Sequence, residues 1–150
     1  MPASICVTVG NFSVNHGTES IVRGCMIVGT GIDLVEVPRV AAAIERFGER
    51  FLARIYTPAE IRYCEAKANR VERYAARFAA KEAAMKALGT GWNRGVRWRD
   101  IEVRRQAGGR PSLVFSGKAA EFAAGLGATN ANLSLTHTAS EAIAQVILEA

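Results

Sequence analysis

The sequence predicts a small α+β domain, and three features carry that prediction. An apolar, glycine-containing run opens at Met26, a long periodic helix spans residues 71–88, and a hairpin with two further strands dominates the C-terminal third. The chain has 150 residues, within the usual size of one domain. Hydrophobic residues make up 49% and charged residues 22%, enough apolar surface for a core and too much for intrinsic disorder.

Each element has a local cause. Residues 27–35 form the first strand, in which Gly29 and Gly31 leave room for another backbone or a ligand. Pro38 suits the first turn of a helix carrying Val40, Ala41, Ile44 and Phe47 on its apolar side. Thr57-Pro58-Ala59-Glu60 is a capping box with proline at N1, so a second helix starts there. The third helix, residues 71–88, stops at Gly89, a natural left-handed end. Residues 101–105 and 112–115 flank Gln106-Ala-Gly-Gly109 and read as a hairpin. An alanine-rich helix over residues 118–126 follows, then strands at 132–137 and 142–148. Residues 1–25 differ from all of this. They are rich in Ser, Thr, Asn and Gly and carry only Glu19 and Arg23 as charges, so they read as a flexible extension before a domain at residues 26–150.

Composition narrows the function classes. No apolar run approaches the roughly 20 residues of a membrane helix, and no signal-peptide pattern opens the chain, so no membrane partner is expected. Cys6, Cys25 and Cys64 are odd in number and lack CxxC spacing, which argues against a disulfide framework or a cysteine zinc site and favours reduced thiols in the cytoplasm. The net charge of +5 favours a polyanionic partner: nucleic acid, a nucleotide cofactor or an acidic protein.

Two acids stand out. With about 100° per helical residue, Glu82 falls inside the apolar stripe that holds Val71, Tyr74, Ala75, Phe78 and Met85. A carboxylate there must be protonated, paired or bound to a cation, and Lys86 at i+4 is one available partner. Asp33 interrupts an otherwise apolar strand on the face of Gly29 and Gly31; it is either a functional acid or a cap for the helix at Pro38. Were the two to converge, they would suit a hard cation such as Mg²⁺, completed by water and substrate phosphates. Arg77, Lys81 and Lys86 supply positive charge along the same helix, and Arg94, Arg97, Arg99, Arg104, Arg105 and Arg110 follow it. Gly89-Thr90-Gly91 could admit a phosphate or simply cap the helix. His137 ends a strand on the face of Leu133 and Leu135, as a half-buried structural histidine, a phosphate contact or a proton relay.

Three segments carry a resemblance: Gly29-Thr-Gly-Ile-Asp-Leu-Val-Glu36, Arg77-Phe-Ala-Ala-Lys-Glu-Ala-Ala-Met-Lys86 and Ser134-Leu-Thr-His137. In this order they resemble the holo-[acyl-carrier-protein] synthases, the short bacterial 4′-phosphopantetheinyl transferases. The resemblance covers Met26 to the C-terminus. It implies helices packed on an antiparallel sheet, a homotrimer with a site at each subunit interface, and transfer of phosphopantetheine from coenzyme A to a serine of apo acyl carrier protein in fatty acid biosynthesis. By the same resemblance Asp33 and Glu82 are Mg²⁺ ligands, and Lys86 neutralises the phosphate under attack. Arg77, Gly89, Gly91 and His137 belong to the coenzyme A site, and Arg39 meets acidic side chains of the carrier. Glu82, a metal-bound water or His137 could take the serine proton. Some family members carry an aspartate directly after the histidine, where this chain has Thr138. The same chemistry on a polyketide or peptide synthetase carrier is the alternative acceptor. A nonenzymatic nucleic-acid module is the alternative class, but it leaves both acids without a role, so no nucleic-acid partner is expected.

Overall fold

The computed structural model describes residues 26–91, 93–105 and 109–150. The extension expected over residues 1–25 and most of the hairpin turn lie outside the described residues. Along the chain come strand β1 (Ile27–Glu36), helices α1 (Val37–Phe47), α2 (Glu49–Ile55), α3 (Pro58–Glu65) and α4 (Arg70–Ala87), and a 3-10 turn at Trp98–Asp100. Strands β2 (Ile101–Arg105) and β3 (Pro111–Phe115), helix α5 (Gly117–Gly125) and strands β4 (Asn130–His137) and β5 (Glu141–Glu149) complete the α+β fold.

Two antiparallel sheets result, one of order β1-β5-β4 and one formed by the β2–β3 hairpin. β5 is central in the larger sheet: Ala144 sits between Asp33 and Leu135, and Ala142 between Val35 and His137. Alternation along β5 buries Ala142, Ala144, Val146 and Leu148 on one face, and α4 covers that face.

The contact between α4 and β1 sets the layer spacing. A Cβ added to Gly31 would lie 1.9 Å from the Ala83 carbonyl oxygen, and one added to Gly29 would lie 2.2 Å from that of Ala87. Two strand residues rise about 6.6 Å and four helical residues about 6 Å, so glycines two apart can face alanines four apart. The room at Gly29 and Gly31 is therefore taken by helix backbone. The complementary stripe on α4 is small throughout, with Ala75, Ala76, Ala79, Ala80, Ala83, Ala84 and Ala87 all buried.

Helix α2 is absent from the sequence reading. It has seven residues, too few for periodicity to show, and it starts directly after Gly48 ends α1. Phe47, expected on the buried side of α1, is 52% exposed, because the chain turns away immediately after it. The capping box at Thr57 and Glu60 is formed as expected: Glu60 N–H donates to Thr57 Oγ1 at 3.3 Å, and Thr57 N–H donates to Glu60 Oε2 at 2.9 Å. Cys64 is wholly buried, and that burial pushes its thiol up to about 11.

The close approach makes a stability prediction. Gly31→Ala forces β1 and α4 apart and should cost about 3 kcal/mol or more, measured as a fall in the urea midpoint at constant slope.

Candidate active site

The β1–α4 contact delivers three expected site residues to one place. Asp33 is the next residue after Gly29 and Gly31 on the face toward α4, and the first of the three with a side chain. Lys86 Nζ donates to Asp33 Oδ1 and to the Ile32 carbonyl, both at 2.9 Å. Glu82, one turn earlier on α4, is half-buried. Burial first and the Asp33 charge second push its carboxyl above the ordinary value, against the pull of Lys86.

This geometry decides two questions the sequence left open. Lys86 bridges to Asp33 across elements, and no Glu82–Lys86 bridge forms along the helix. Asp33 does not cap α1, whose N-cap residue is Glu36 with no side-chain cap bond. Among the described residues no cluster of three or more His, Cys, Asp or Glu side chains converges. What stands together is a pair of carboxylates, one of them raised first by burial and then by the other's charge. That donor set fits Mg²⁺, a hard ion that takes one or two protein carboxylates and keeps its other positions for water and phosphate oxygens.

Glu82 also lines an open cleft of about 670 Å³ with Phe47, Arg50, Phe51, Phe78 and Trp98. Phe78 and Trp98 stack at 4.7 Å and wall one side of it. A larger cavity of about 760 Å³ shares Arg54 and Trp98 with this cleft but holds none of the expected site residues.

Arg77 and His137 meet elsewhere. Arg77 precedes Glu82 by five residues, about 140° around the helix, so it leaves the opposite flank of α4. It lines a pocket of about 420 Å³ with Tyr63, Arg73, Arg105, Pro111 and His137. His137 Nδ1 stands 3.6 Å from Glu72 Oε2, long for a direct bond. The expected residues thus divide into an acid–lysine group on one side of α4 and a basic pocket on the other.

Gly89 and Gly91 adopt φ values of 68° and 52°, a conformation costly for a side-chain-bearing residue. The loop also serves the helix end, since Thr90 N–H donates to the Met85 carbonyl at 3.1 Å. Arg39 is exposed on α1. Thr138 holds the β4–β5 turn, its Oγ1 accepting from the N–H groups of Ser140 and Glu141 at 3.2 and 3.1 Å.

Lys81 departs from expectation. Read as part of the positive charge around Glu82, it is fully buried and pairs with Glu60 at 2.8 Å. It donates further to the Trp98 and Ile101 carbonyls, while Glu60 Oε1 accepts from Val103 N–H at 3.0 Å. The pair ties α3, α4 and β2 together. Burial lowers the Lys81 ammonium, and Glu60 opposes that shift. The signal for Glu60 was its place in the capping box, which accounts for one carboxylate bond and hides the other two.

A family model described as the 4′-phosphopantetheinyl transferase superfamily matches residues 29–143. The chain belongs to that superfamily. It is 68% identical over 124 residues to the holo-[acyl-carrier-protein] synthase of Koribacter versatilis, covering 83% of this chain and 99% of that protein. Among solved structures of the superfamily, the holo-[acyl-carrier-protein] synthase of Neisseria meningitidis aligns with a TM-score of 0.77 at 33% identity, covering 83% of this chain and all of that one. The Helicobacter pylori synthase in complex with coenzyme A aligns with a TM-score of 0.70 at 31% identity, covering 79% and 98%.

The buried pair predicts a stability effect separable from the acid group. Lys81→Met leaves Glu60 uncompensated and should cost about 3–5 kcal/mol, read from thermal or denaturant unfolding. Adding Glu60→Gln should recover much of that loss.

Proposed function

We propose that the chain is a holo-[acyl-carrier-protein] synthase, moving 4′-phosphopantetheine from coenzyme A to a serine of apo acyl carrier protein. The observation that carries this reading is the Asp33, Glu82 and Lys86 group in a chain so similar to a protein of that name. The serine hydroxyl attacks the phosphorus bearing pantetheine, a serine–phosphate bond forms, and the pyrophosphate bond breaks to release adenosine 3′,5′-bisphosphate. The serine proton passes to a water held by Glu82. Lys86 neutralises charge on the phosphate under attack, and positioning with charge stabilisation supplies most of the catalysis. Mg²⁺, held by Asp33 and Glu82, would polarise and orient the pyrophosphate.

Arg77 and His137, on the other flank, fit the anionic nucleotide end of coenzyme A, and the Gly89–Gly91 loop, which follows Lys86 at the end of α4, would meet the same ligand from the acid side. Arg39 fits the acidic face of the carrier, and the exposed Arg46, Arg50 and Arg54 extend the same positive surface toward the Glu82 cleft. A homotrimer suits two features. The expected site residues line separate cavities of one subunit, and the sheet face away from α4 leaves Ile32 and Leu34 60% and 53% exposed. Among the described residues no helix is long and apolar enough to cross a membrane, and a role in cytoplasmic fatty acid biosynthesis accords with that. Residues 26–150 form the transferase domain in this reading, supported by the family match over residues 29–143.

The test is the carrier protein's intact mass after incubation with enzyme, coenzyme A and Mg²⁺. One phosphopantetheinyl unit should appear, and EDTA should prevent it; full transfer in EDTA would remove the metal from the mechanism. Glu82→Gln should abolish transfer and yet raise the melting temperature of the metal-free protein at pH 7. A carboxyl raised on folding destabilises the folded state once ionised, so the advantage of the variant should shrink as pH falls through the Glu82 value. Arg39→Glu should raise KM for the carrier with kcat and KM for coenzyme A held. Sedimentation should give a species of three chains, and Ile32→Lys should shift it toward monomer.

A further inference from the structure

Tyr63 is a side chain that the sequence reading did not single out, yet three cations gather at its ring. Arg77 Cζ lies 4.1 Å from the ring centroid, and Arg105 Cζ and Lys67 Nζ each lie 5.6 Å away. All three are within the roughly 6 Å at which the electron-rich face of an aromatic ring attracts a cation. They come from different places: Arg77 from α4, Arg105 from the end of β2, and Lys67 from just beyond α3.

Arg77 is the unusual member. It is only 5% exposed, and a guanidinium so buried normally finds a carboxylate. Among the described residues Arg77 makes no salt bridge, and its Nε is buried without a hydrogen-bond partner. A carboxylate would neutralise the guanidinium and consume its donors. A ring face stabilises the charge and leaves the N–H groups free for an incoming oxyanion. The same ring attracts both guanidiniums and so offsets part of their mutual repulsion in the pocket.

We propose that Tyr63 is a positioning residue of this pocket, its ring presenting Arg77 and Arg105 to a polyanionic phosphate ligand. The proposal rests on the reading of the pocket as the seat of the nucleotide end of coenzyme A, and it adds the element that shapes that seat. The interaction is with the ring and does not need the hydroxyl, so the substitutions separate cleanly.

The experiment is calorimetric titration of the intact protein with adenosine 3′,5′-bisphosphate, paired with steady-state kinetics. Tyr63→Leu should weaken binding about tenfold and raise KM for coenzyme A to match, with kcat and KM for apo carrier protein held. Tyr63→Phe should bind like wild type. If Tyr63→Leu does not fold, Tyr63→Met fills the space without a ring face and should reproduce the loss. Unchanged affinity in the ring-less variants, with Arg77→Ala weakened, would overturn the role of Tyr63 and leave the pocket intact. A Tyr63→Phe variant as weak as Tyr63→Leu would overturn it in favour of the hydroxyl. If Arg77→Ala also binds like wild type, the pocket reading and the proposal fall together.

Discussion

The backbone of α4 lies almost against the backbone of β1, and the remainder of the molecule is arranged around that contact. Gly29 and Gly31 have no Cβ to hold the helix away, and the alanines at 83 and 87 present carbonyl oxygens where those Cβ atoms would be. The match between two strand residues and four helical residues sustains the contact over more than one turn. It also fixes where the contact must end. Asp33 has a side chain where the glycines have none, so the helix face beside it must be one that can receive a carboxylate. Lys86 receives it there, and Glu82 alongside feels its charge as repulsion. The acid group is thus a consequence of the packing stripe running out, and the glycines act on the chemistry without touching it.

Two lysines on α4 illustrate how depth decides a cation's role. Lys86 is exposed and reaches from the last turn of α4 to an acid on β1. Lys81 is sealed inside, has three acceptors for its three protons, and locks the helix to α3 and β2. The first can exchange its partner for a phosphate; the second can exchange nothing without leaving Glu60 as a bare buried charge. Locking through Lys81 has a second effect. Its bond to the Trp98 carbonyl holds the residue that stacks on Phe78 and walls the cleft beside Glu82. Structural and chemical roles therefore meet in adjacent residues, 81 and 82, on the same helical turn.

Much of the architecture was legible because its signals are local. The capping box at Thr57, the stop at Gly89, the hairpin strands and the two C-terminal strands all appear where chain-local rules put them, within a few residues. Helix α2 was not legible, since seven residues give neither periodicity nor a side-chain cap to read. Asp33 and Glu82 were legible as anomalies, each an acid among apolar neighbours. Their relation to Lys86 was not, because a helical wheel knows only neighbours on its own helix and the winning partner lies 53 residues away. Glu60 and Tyr63 were missed for opposite reasons. Glu60 already had a local explanation, and Tyr63 had no anomaly at all: a half-exposed tyrosine on a short helix becomes notable only when Arg77 and Arg105 arrive from distant segments.

The division of the site across α4 follows from the same contact. A helix pressed this tightly onto β1 and β5 cannot gather side chains from opposite flanks into one cavity. Residues separated by about 140° on its surface must serve different pockets. On one flank lie two carboxylates and a lysine, suited to a reacting phosphate; on the other lie guanidiniums and a histidine, suited to a phosphate that is only held. A long donor with phosphates at both its reacting and its anchoring ends could use both kinds of site, but one subunit offers them facing apart. In the proposed trimer a neighbouring copy can bring its own basic flank to the acid group of the first. On the proposed trimer, the rigidity that specifies the acid group within one chain would also be the reason a second chain is needed to complete the site.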